Sequence, residues 1–74
     1  MESLMNVAIG DTYTVKWLIC DPRTEKLMQS YHIEEGSTVR VIRRCLGSVI
    51  IGMNDRRLAI GSEVAEGIKV TPSL

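Results

Sequence analysis

Five side chains in this sequence have the chemistry to bind a transition metal: Cys20, His32, Glu34, Glu35 and Cys45. Thiolate, imidazole and carboxylate all take first-row divalent ions. Their spacing does not build a site. There is no CxxC pair, and no two ligands stand at finger-like or helical i, i+4 separations. The plainer reading makes Cys20 and Cys45 small apolar fillers near strand ends and His32 a helix-terminal residue whose ring helps satisfy nearby carbonyls. What remains of metal chemistry is a weak contact at His32 with Glu34. Catalysis fares no better. A lone His32 has no positioned partner, and no phosphate loop, nucleophile elbow or paired-carboxylate motif is present. The chain is not expected to be an enzyme.

Arg40, Arg43 and Arg44 cluster within one predicted strand, and Arg56 and Arg57 follow. Guanidinium clusters can grip phosphate. Against that, nine basic residues cancel nine acidic ones, and the three aromatics, Tyr13, Trp17 and Tyr31, lie away from the arginines in sequence. A solvated strand that resists edge-to-edge pairing accounts for the cluster, and no nucleic-acid partner is expected. Protein docking is the better use of the surface. Leu27, Met28 and Tyr31 share a short predicted helix, and Trp17 is near it. Trp and Tyr are typical interface anchors. Arg23 and Lys26 on the helix, with Arg56 and Arg57, would form a charged rim. Met28 is the member most readily explained as core instead.

These residues need a scaffold. A chain of 74 residues is one domain, 1–74, with a core over about 4–71, and it buries only about 60% of its unfolded surface. Apolar residues are 45% and charged residues 24%, an ordinary soluble composition. No apolar run, 49–51 included, is long enough to span a bilayer. The start carries neither a basic nor a long apolar stretch, so a cytosolic protein with two reduced thiols is expected.

Residues 12–20 read as a strand, rich in β-branched and aromatic types. Tyr13, Val15, Trp17 and Ile19 alternate onto one face, yet Leu18 is as apolar as they are. A bulge near 16–18 would reconcile the two phases. Asp21-Pro22 opens a helix running to about Tyr31, with Asp as cap and Pro in the first turn. Gly36 turns the chain into a strand at 38–45, with Val39 and Val41 on one face. Leu46-Gly47 is a turn, 49–53 a third strand, Asn54-Asp55 a hairpin turn and 57–60 a fourth strand. Ser62 caps a helical turn at 63–66 that Gly67 ends, and 68–71 is the last strand. Residues 1–5 and 72–74 read as frayed ends. The expected fold is mainly β: a partly open five-stranded barrel, one helix between its first two strands and a helical turn before its last.

Four stretches together resemble the FeoA family. They are Leu4 with Gly10-Asp11; Met28 with Tyr31-His32-Ile33; Glu35-Gly36-Ser37-Thr38-Val39-Arg40-Val41; and Arg57-Leu58-Ala59-Ile60 with Glu63-Val64-Ala65 and Ile68-Lys69-Val70. They cover about residues 4–70. His32 stands where the family usually has glycine, in a left-handed helix-ending position that His takes only with strain. The resemblance implies an SH3-like barrel. It also implies a cytosolic accessory protein of ferrous-iron uptake, with the FeoB membrane transporter and its GTPase domain as partner. A monomer with no cofactor beyond a weak Fe(II) contact is expected. An Fe(II)-sensing or delivery module, and an SH3-like nucleic-acid binder, are the alternatives.

Overall fold

The computed structural model describes residues 1–73. In chain order the elements are β1 (Glu2–Ser3), β2 (Thr12–Leu18), α1 (Pro22–Ser30), β3 (Thr38–Cys45), β4 (Ser48–Met53), β5 (Arg56–Gly61), α2 (Ser62–Glu66) and β6 (Ile68–Pro72). The six strands form one antiparallel sheet in the order β1-β6-β2-β3-β4-β5. Its edges, β1 and β5, do not pair with each other, and α2 packs on β4, β5 and β6.

Inward positions follow the period of two that pleated strands impose. Val39 and Val41 of β3, Val49, Ile51 and Met53 of β4, and Ile68 and Val70 of β6 are all buried. Val15, Ile33 and Leu4 complete the largest fully enclosed side chains. The expected bulge is present. Val15 pairs with Val70 and Trp17 with Lys69, so Lys16 is the extra residue. The slip reverses the phase of the strand: Leu18 packs on the core, and Trp17 and Ile19 turn to solvent.

The structure has six strands rather than five. Residues 1–5 do not fray: Glu2 and Ser3 pair with Val70 and Lys69, and Leu4 N–H donates to the Ile68 carbonyl (2.9 Å). Leu4 is fully buried, and the buried Ser3 hydroxyl donates to the Ala65 carbonyl (3.2 Å). At the other end Ser73 N–H donates to the Thr12 carbonyl (3.0 Å), so 72–73 are held as well. Leu74, also expected to fray, lies outside the described residues.

Helix α1 is built as its sequence prescribes. Asp21 Oδ1 accepts from Thr24 N–H (2.7 Å), with Pro22 in the first turn. The helix ends in a Schellman motif: Ile33 N–H donates to the Met28 carbonyl and His32 N–H to the Gln29 carbonyl, both at 2.9 Å. Met28 and Ile33 are the buried apolar pair that accompanies it. His32 sits at φ 65°, which costs an L-residue about 1–2 kcal/mol. His32→Gly should therefore raise stability by about 0.5–1 kcal/mol once the greater freedom of unfolded glycine is deducted. Chemical denaturation of the two proteins reads this directly.

The cap also sets an acid sensitivity. The Thr24 backbone N–H bond, then the Thr24 side chain, hold the Asp21 carboxyl below its ordinary value, with a smaller contribution from Arg23 N–H. A depressed folded pKa stabilises above the unfolded value and is lost as pH falls through the folded one. Asp21→Asn keeps a capping oxygen without the charge. The wild-type advantage over this variant should be full near neutrality and vanish below the carboxylate range, measured as Tm against pH.

One cap differs from the sequence expectation. Gly61, not Ser62, is the N-cap of α2, without a side-chain bond; the Ser62 N–H instead donates to the Gly47 carbonyl (3.0 Å). Gly67 does end α2, but at φ −85°, so its smallness matters through contact rather than through handedness.

Candidate docking site

A groove of about 300 Å³ runs between β2 and α1. Trp17, Leu18 and Ile33 give it an apolar lining; Glu25, Gln29, Glu34 and Glu35 give it a polar one. Each arrives by a local cause. The Lys16 bulge turns Trp17 outward, leaving it 46% exposed. Glu25 and Gln29 are one helical turn apart and so share a face of α1. Glu34 and Glu35 follow the Schellman turn. Their loop is held by the Ser37 hydroxyl, which accepts from Glu34 N–H (3.0 Å) and donates to the His32 carbonyl (2.7 Å).

The structure divides the predicted docking residues. Met28 is buried and leaves the set, because it is the α1 side chain that anchors the helix to the core. Tyr31 is half-buried against that core. Leu27 is 51% exposed but does not line the groove. It lies two residues beyond Glu25, about 200° around the helix axis, on the flank with Arg23 and Lys26. Arg56 and Arg57 do not rim Trp17 either. They line a separate depression of about 350 Å³ with Arg40 and Ile42. The charged lining of the groove is thus acidic, with Lys69 paired to Trp17 on the neighbouring strand, where Arg56 and Arg57 were expected. In the sequence Glu34 and Glu35 stand out only as metal ligands; their place on the groove comes from the Schellman turn before them.

The potential metal ligands do not converge. No group of three His, Cys, Asp or Glu able to hold an ion occurs among the described residues. Cys20 and Cys45 are both free thiols. Burial, then the charges of Glu25 and Asp21, raise the Cys20 pKa, which disfavours the thiolate that a metal or electrophile needs. Arg44 also leaves the surface cluster. It pairs with Val49 on the inner side of β3, its Nη2 donates to the Val7 carbonyl, and its buried Nε has no partner.

The partly open antiparallel sheet wrapped around a filled core is an SH3-like barrel. The chain belongs to the FeoA family: the FeoA domain model matches residues 2–72. The solution structure of FeoA from Chlorobium tepidum is 24% identical, with a TM-score of 0.86 over 95% of this chain and 69% of that one. A crystal structure of an iron uptake regulatory protein (FeoA) is 24% identical, with a TM-score of 0.82 over 95% and 93%. A manganese-dependent transcriptional repressor in complex with manganese is 26% identical, with a TM-score of 0.89 over 97% of this chain and 36% of that one. The chain spans 34–41% of the length of three such manganese regulators. No curated protein sequence matches it.

Proposed function

We propose that this protein is a non-enzymatic accessory protein of ferrous-iron uptake that docks, as a cytosolic monomer, on a FeoB-type transporter. Membership of the FeoA family supports the iron-uptake role. The observation that carries docking is Trp17, turned out of the barrel by a bulge and set on a groove of mixed apolar and acidic lining. Exposed tryptophan beside a concave surface is the usual anchor of a protein interface. No described helix is long and apolar enough to cross a membrane, and in this reading transport is the partner's. To regulate it, the barrel must bind one nucleotide state of the GTPase domain more tightly than another. Co-precipitation with that domain in its GDP-bound, GTP-analogue-bound and empty states tests this; absence of binding in all three rejects it.

The Fe(II)-module reading rests on His32 and Glu34, both exposed. Anaerobic Fe(II) titration with NMR detection at Cys20, His32 and Cys45 separates it from docking, since only the metal reading requires shifts in the isolated protein.

A further inference from the structure

Zero net charge conceals a strong segregation. Residues 38–61 hold five arginines and a single acid, Asp55, leaving four basic and eight acidic residues elsewhere. Register puts three of those arginines on one outer face of β3–β4–β5. Arg40 pairs with Gly52, and Gly52 with Arg57, so the two arginines flank a glycine across three strands. Adjacent strands lie about 4.8 Å apart, which places these two backbones about 10 Å apart. After the β3 irregularity between Val41 and Arg43, Arg43 pairs with Ile50 on the same face. The Ile42 side chain lies over Gly52, where a Cβ would meet Ile42 Cδ1 at 2.9 Å. Ile42 and Ile50 are half-buried and form the apolar part of the face.

Among the described residues, the one hydrogen bond made by the Arg40, Arg43 and Arg57 guanidiniums is Arg40 Nε to the Gly10 carbonyl (3.2 Å). That bond steadies the Arg40 stem and leaves its two terminal nitrogens for another acceptor. Asp55 and Arg56 line the hairpin end of the adjoining depression, so the acid there is outnumbered.

We propose that this face is a second docking surface, for an acidic, partly apolar segment of a partner protein. The guanidinium fork matches carboxylate geometry with two parallel bonds. Carboxylates two residues apart on an extended chain are about 7 Å apart on one side, within reach of Arg40 and Arg57. An apolar side chain near them would rest on Ile42 or Ile50. Charge complementarity selects a short acidic segment over a nucleic acid. The face carries no aromatic platform, and the acidic remainder of the molecule would repel a polyanion extending past it. The surface shares no lining residue with the Trp17 groove, so it stands or falls independently of docking there.

The test is an NMR titration of the full chain with a peptide of alternating glutamate and leucine. A lysine–leucine peptide and a thymidine dodecamer serve as comparisons. The acidic peptide should shift the Arg40, Ile42, Gly52 and Arg57 signals, and Arg40→Gln/Arg57→Gln should weaken it about tenfold while the dispersed spectrum of the folded barrel is retained. The proposal is overturned by no shift, by shifts centred on Trp17, by unchanged affinity in the double variant, or by equal or tighter binding of either comparison ligand at this face.

Discussion

Gly67→Ala is expected to remove much of the stability of this protein. A Cβ at Gly67 would fall well inside the contact distance of the Ile19 carbonyl oxygen. The obstacle is backbone, and it is held in place: Ile19 N–H donates to the Gly67 carbonyl (2.7 Å), joining the end of β2 to the start of β6. Relieving the clash means parting these strands, and β1 pairs with β6 next to that junction. The expected loss is about 3 kcal/mol or more, from a total of about 4–10 kcal/mol for a domain this small. Tm should fall by about 10–20 °C. Two other glycines give the contrast that isolates the cause. Gly61→Ala meets nothing within 4 Å and should be close to neutral. Gly52→Ala meets only the flexible end of Ile42 and should cost little. A thermal series in which Gly67→Ala behaves like Gly61→Ala would refute the close-approach argument.

The fate of Gly67 also illustrates what one sequence can and cannot reveal. Features decided within a few residues were legible. Asp21-Pro22 opened α1, Asn54 took a positive φ in its hairpin, and the conflict between Trp17 and Leu18 betrayed the bulge. In each case backbone sterics or a capping bond acts locally. What was not legible depends on partners far along the chain. Glu2–Ser3 is too short to look like a strand, and it exists because β6 offers an unpaired edge more than sixty residues later. Gly67 looked like a helix stop, but its necessity comes from a carbonyl at position 19. At the candidate site, the bulge is legible, but which of Trp17 and Leu18 it turns outward is not. Side-chain direction after a bulge is set by register with β6, which no local pattern records. The joint docking surface failed similarly. Leu27 and Trp17 are both exposed, yet helix geometry places Leu27 on the flank away from the groove.

That separation makes the docking proposal sharply testable. If the groove holds the anchor of the interface, Trp17→Ala should weaken binding to the transporter's cytosolic domain by about 30-fold or more, the effect of losing a hot spot worth about 2 kcal/mol. The isolated protein should keep nearly all of its stability, because the indole is 46% exposed and contributes little to the core. Leu27→Ala removes a comparably exposed apolar side chain from the opposite flank and should change affinity less than about threefold. Glu25→Lys tests the rim: it lines the groove without belonging to the barrel core, so its reversal should act chiefly through association rate and salt dependence. The informative outcome is the ranking. A dominant loss from Leu27→Ala, with Trp17→Ala indistinguishable from wild type, would transfer the interface to the Arg23–Lys26 flank and leave the groove without a role. Trp17 leading, followed by Glu25 through salt-sensitive kinetics, is the order that an exposed apolar anchor on an acid-lined groove requires.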